Sequence, residues 1–101
     1  MINRFSAIGA DLANLVSALE PYDSGVAAFV AELANNVPRA DSAVGVLFGV
    51  RSCLLNFVAP VVDKISDAAA RERVARDMER CLAYRIEFGS FGRDKLVESN
   101  V

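Results

Sequence analysis

Apolar residues recur at threes and fours from the start of the chain. Ile2, Phe5, Ile8, Leu12, Leu15, Val16 and Leu19 gather on one face at helical spacing, with Arg4, Asp11 and Asn14 opposite. This spacing predicts an amphipathic first helix. Pro21, Tyr22, Asp23, Ser24 and Gly25 combine a helix breaker with capping side chains, so the chain turns and restarts near Ser24. A second helix to about Asn36 follows, with Val26, Phe29, Val30, Leu33 and Val37 on its apolar face and Glu32 and Asn35 facing away. Asn35, Asn36, Val37 and Pro38 end it, and Asp41 or Ser42 is placed to cap the next helix by accepting hydrogen bonds from its first free amides.

From Ala43 to Val62 the pattern changes. The stretch is apolar nearly all the way round a helix, interrupted only by Gly45, Gly49, Arg51, Ser52, Asn56 and Pro60. A helix without a broad polar face must be wrapped by protein or by lipid. At about 100° per residue, Gly45, Gly49, Ser52 and Asn56 share a stripe roughly 60° wide, where a second backbone could approach closely. Arg51 stands on another side, among Val44, Leu47, Leu55, Val58 and Val62. Pro60 is expected to kink or end the helix, because proline removes one ladder bond and crowds the preceding turn.

The chemistry then turns polar. Residues 63–87 carry balanced charge, with Glu72 and Arg76, and Arg73 and Asp77, at spacing for mutual support. Val74, Met78, Cys81, Leu82 and Phe88 form the expected buried face of a fourth helix, with Arg85 projecting from its middle. Leu82, Tyr84, Ile86 and Phe88 also alternate with Ala83, Arg85 and Glu87 as a strand would. Helix is favoured over residues 82–88, since a lone strand would lack a partner. Gly89, Ser90 and Gly92 break regular structure and leave a flexible tail over residues 89–101.

The fold expected is therefore all-α: a compact four-helix domain over residues 1–88, with the third helix as its central, nearly all-apolar element. The chain has 101 residues, enough for one hydrophobic core. A hydrophobic fraction of 53 % is high for so small a soluble protein, and burial between subunits would account for the excess, so a homo-oligomer is expected. Gly45, Gly49, Ser52 and Asn56 are the candidate self-association stripe, which added volume at Gly49 should disturb.

A membrane span over 43–62 is the rival reading. Length and the small-residue stripe favour it, whereas Arg51 near the centre costs about 2.5 to 3.5 kcal/mol on insertion scales. The amphipathic helices on either side also need an apolar surface to cover, and membrane insertion is the less favoured reading. Nothing of signal-peptide character stands ahead of the first helix, so Cys53 and Cys81 are read as reduced, buried thiols and the chain is placed in the cytoplasm. Arginine supplies nine of the eleven basic residues, and Ala and Val are abundant, which fits a GC-rich bacterial or phage coding sequence.

Catalytic and ligand classes find little support. The chain has no histidine, which removes the commonest general base, and its carboxylates lie on polar faces or in turns, so the expectation is not an enzyme. Two isolated cysteines do not provide a zinc site, and no glycine loop has phosphate-binding form, so no metal or cofactor is expected. A net charge of −2 gives no general grip on nucleic acid, and the apolar third helix could not read base edges. What remains is a small non-enzymatic interaction module, an adaptor, inhibitor or regulator that binds a larger protein stoichiometrically. Arg51, Arg85, Phe88 and Phe91 are its candidate recognition residues, the arginines expected within the interior and the aromatics on the tail. A third reading has the oligomer sequester a small anionic ligand through Arg51 or Arg85.

Overall fold

A computed structural model of the protein describes residues 5–89 and 94–99. It is predominantly helical, with α1 (Ser6–Leu19), α2 (Ser24–Asn36), a 3-10 turn (Val37–Arg39), α3 (Ala43–Cys53), a π-helical turn (Leu54–Val58), α4 (Ala59–Asp63), α5 (Ala68–Leu82), and two strands, β1 (Tyr84–Glu87) and β2 (Lys95–Glu98). The segments α3, π turn and α4 run on as a single helix, Ala43–Asp63.

Caps mark the helix starts that the turn chemistry foretold. Asp23 accepts from the Val26 amide at 2.9 Å, and Ser42 accepts from the Gly45 amide at 3.0 Å. Asp67 does the same for Ala70 at 3.0 Å, and Arg71 Nη1 reaches back to the Ile65 carbonyl at 2.9 Å to hold the turn before α5. Pro60 does not end the helix, which continues to Asp63. Its missing N–H and crowding ring are absorbed by the π turn, where the Ala59 amide reaches back five residues to the Leu54 carbonyl.

The π turn also solves a packing problem. Val46, Val50, Leu54, Val58 and Val62 are all buried and stand at strict four-residue intervals. In a pure α-helix such a row drifts by about 40° per step and would leave the core side within three steps. A looser π turn takes up the drift, so Val58 and Val62 still face inward.

The core is shared between α1 and the 43–63 helix, the latter contributing Val46, Val50, Leu54, Val58 and Val62. Ile8, Leu12, Leu15 and Leu19 of α1 are fully buried, and α1 makes its most extensive helix contacts with α2 on one side and α5 on the other. The molecule measures 48 × 26 × 22 Å. Its shortest dimension holds about two layers of helices, each about 10 Å across. No third layer lies over the outer side of the 43–63 helix, and only 33 % of its most apolar stretch is buried.

Two corrections to the expected all-α fold lie at the C-terminal end. Tyr84–Glu87 is a strand, and its missing partner is Lys95–Glu98, inside the segment expected to be a loose tail. The two pair antiparallel, Tyr84 opposite Glu98 and Glu87 opposite Lys95. Both the amide and the hydroxyl of Ser99 donate to the Ala83 carbonyl, at 2.7 and 2.9 Å, closing the hairpin against the end of α5. On α5, Asp77 pairs with Arg80 at 3.8 Å rather than with Arg73. Both cysteines are buried and free, as read from their apolar surroundings.

Candidate functional site

The outer side of the 43–63 helix carries the largest departure from ordinary surface chemistry. Phe48 is 63 % exposed and Leu55 57 %, with Val44 exposed in the same row. At about 100° per residue these three lie within roughly 40° of one another and form a ridge. Phe29 of α2 and Phe57 of the π turn, each 49 % exposed, stack against one another at 5.1 Å between ring centroids. The aromatic pair bridges the two helices at one end of an open groove of about 360 Å³, lined by Phe29, Leu33, Gly49, Cys53 and Phe57, with exposed Glu32 on its α2 wall.

Of the small-residue stripe, Gly49 and Ser52 line that groove. Gly45, Ser52 and Asn56 are exposed and Gly49 is half-buried, so the stripe faces away from the chain's own core. Asn56 Nδ2 donates to Ser52 Oγ at 3.3 Å, and the two polar side chains partly satisfy one another. A Cβ at Gly49 would meet nothing within 4 Å, so no neighbour within one copy requires glycine there. Gly49→Ala is accordingly expected to raise the stability of the dilute protein by about 0.5 to 1 kcal/mol, through helix propensity alone. Thermal unfolding checks this, and a fall in melting temperature would place a packed neighbour over that position. At Gly45 the space is tighter, with the capping Ser42 Oγ 3.1 Å from a built Cβ.

The arginines expected inside the molecule are outside it. Arg51 is exposed, and its Nη2 donates to the Tyr84 carbonyl at 3.4 Å, which draws the guanidinium toward β1 and leaves the ridge apolar. The helix places it at the rim because residue 51 falls on the ridge side, away from the row Val46, Val50 and Leu54. Arg85 does not project from a buried helix face, since it lies on β1 with its side chain exposed and paired with Glu87 at 3.8 Å. Phe88 follows β1 and is 79 % exposed, instead of completing the core. Phe91 lies outside the described residues. Arg51 thus stands between the ridge and the hairpin that carries Arg85 and Phe88, and is joined to that hairpin through the Tyr84 carbonyl.

One cluster went unread in the sequence. Tyr84 is buried, and its hydroxyl donates to Asp11 Oδ2 at 2.6 Å and stands 3.5 Å from Glu98 Oε1, tying β1 to α1 and to β2. Burial first, then the hydrogen bond to Asp11 and the charges of Asp11 and Glu98, push the phenol well above its usual range. The neighbouring Cys81 thiol is pushed up to about 12, chiefly by burial, with Asp11 and Asp77 adding to it. The strand alternation around Tyr84 was the available signal. Asp11 is distant in sequence, and its pairing was not legible there.

These groups clamp the fold, Tyr84 joining β1 to α1 through Asp11. Among the described residues, no three His, Cys, Asp or Glu side chains converge as a metal would require. Comparison with known proteins finds no matching family, no matching characterised protein and no matching solved structure. Chemically, the site offers apolar area, an open groove and one cation, Arg51, at its edge.

Proposed function

We propose that the protein is a small non-enzymatic interaction module that acts by stoichiometric binding through the outer side of its 43–63 helix. The observation that carries this reading is the exposure of Val44, Phe48, Leu55, Phe29 and Phe57 around one groove, in a chain whose other core-forming residues are efficiently buried. Contiguous aromatic and aliphatic surface of this kind is costly to leave in water and is the usual chemistry of a docking face. Phe48, with Arg51 one turn away, has the make-up of an interface anchor. Phe88 and Arg85 on the hairpin form a smaller, secondary surface.

The rival is membrane association, because Ala43–Asp63 is long and apolar enough to cross a bilayer by length and composition. Protein docking is favoured, since the inner side of this helix already packs on protein through Val46, Val50, Leu54 and Val58. A span would have to strip that side from the core.

Phe48→Ser and Leu55→Ser test the reading, because both change exposed side chains. The folded variants, verified by circular dichroism, are expected to lose the protein retained by the wild type from extract of the organism that encodes it. A matched substitution on the polar side of α5, Arg76→Ser, is expected to keep it. Retention of the same protein by both ridge variants, or a saturable turnover in the homogeneous protein, would overturn the proposal.

A further inference from the structure

We propose that the uncovered side of the 43–63 helix is occupied by a second copy of this chain, the two copies lying side by side with these helices parallel about a two-fold axis that runs along them. The inference rests on the reading of this side as a docking face and adds the identity of its occupant.

The ridge of Val44, Phe48 and Leu55 and the groove beside Gly49 sit next to each other on one helix, about 100° apart. A two-fold axis parallel to the helices reverses left and right across the interface and keeps the level along the helix unchanged. Each ridge therefore meets the other copy's groove, in the isologous manner of a closed dimer. Phe48 arrives at the level of Gly49, where the space is open. An antiparallel pairing would instead set ridge against ridge and leave both grooves empty.

Arg51 stands on the ridge side away from its own groove, so across this interface it looks past the ridge toward the α2 wall of the other copy, which carries Glu32. The Phe29–Phe57 contact sets the level of α2 against the helix. Glu32 is one turn along from Phe29, about 4.5 Å, which brings it level with residue 54, within a turn of Arg51 in the other copy and inside the reach of two long side chains. The pair forms twice by symmetry. It replaces the 3.4 Å bond from Arg51 to the Tyr84 carbonyl, which is long for a hydrogen bond.

Taking about 150 to 250 Å² for a whole aromatic side chain, the exposed parts of Phe48, Phe29, Phe57, Leu55 and Val44 come to roughly 450 Å². A stable dimer of standard size buries about 800 Å² per partner, a little over half of it apolar. The patch supplies the apolar share of such an interface.

The test is the molecular mass of the purified full chain by sedimentation equilibrium or light scattering. A dimer is expected at tens of micromolar. Phe48→Ser should weaken it at least tenfold in Kd, as should Arg51→Glu or Glu32→Arg alone, each variant remaining helical by circular dichroism. The double variant Arg51→Glu with Glu32→Arg restores opposite charges across the interface and should recover most of the lost affinity. A wild-type monomer up to about 100 µM, a Kd weaker than about −5.5 kcal/mol of association, overturns the dimer. If that monomer still captures a different protein through Phe48, only the identity of the occupant falls and the docking face stands. If the monomer binds phospholipid vesicles through Phe48 instead, both readings fall. A dimer indifferent to Phe48→Ser, or singly charge-reversed variants that the double variant does not rescue, also overturns the arrangement.

Discussion

Leu54→Ala should lower the stability of this protein by about 2 to 5 kcal/mol, while Leu55→Ala, one residue on, should change it by less than about 0.5 kcal/mol. The two side chains are chemically identical and sit in the same π turn. Leu54 is fully buried in the row that faces α1 and the hairpin, whereas Leu55 is 57 % exposed on the ridge. Truncating Leu54 removes apolar area and leaves a cavity that the neighbouring turns cannot fill. For a domain of this length that corresponds to a fall of roughly 10 to 30 °C in melting temperature. Thermal or urea unfolding of dilute protein measures both. Similar losses at the two positions would mean that the helix is covered on both sides, and would remove the exposed face on which the functional reading stands.

Alkali should unfold the protein well before lysine titration becomes general. Cys81 has its folded pKa raised from 9.0 to about 12, and Tyr84 is raised as well. A raised folded value means that the unfolded chain gives up the proton first as pH rises. The stabilising contribution is therefore complete below about pH 9, declines as the unfolded thiol and then the unfolded phenol ionise, and is lost as pH passes the folded value. Stability measured between pH 7 and pH 12 should be flat and then fall steeply from about pH 9. Burial raises the Cys53 thiol too, so Cys81→Ala should shrink the first part of the fall without moving its onset, and Cys53→Ala combined with Cys81→Ala should move the onset up by about one pH unit, to where Tyr84 begins to contribute. Tyr84→Phe removes the donor that faces Asp11 at 2.6 Å, and is expected to cost about 1.5 to 3 kcal/mol at neutral pH, as for hydrogen bonds to charged groups. It should also flatten the upper part of the alkaline limb. Unaltered stability at pH 7 in Tyr84→Phe would show that the hydroxyl is not what holds the hairpin to α1.

Local order in this chain follows from nearby residues. The amphipathic period of residues 5–19, the caps at Asp23 and Ser42, and the apolar run from Ala43 onward determine three helices by propensity and short-range hydrogen bonding, without reference to the rest of the molecule. Burial of both cysteines was equally legible, because each sits among apolar neighbours at helical spacing. The same local reasoning misplaced residues 84–88, since a strand depends on a partner. Lys95–Glu98 becomes that partner only through ladder bonds across a turn.

The candidate site shows the same division. An apolar helix without a polar side announces that something must cover it, and the sequence alone establishes that demand. Which side stays bare was decided by the tertiary structure: α2, α5 and the hairpin pack against the helix, the π turn before Pro60 keeps the four-residue row of valines and Leu54 facing inward, and Phe48, Leu55 and Phe57 are left turned out. Arg51 reads in one dimension as a charge inside an apolar segment and in three as a cation at the edge of an exposed ridge. Periodicity defines angles around a single helix axis, but burial depends on which neighbours arrive on each side, and that is determined by contacts between residues far apart in the chain.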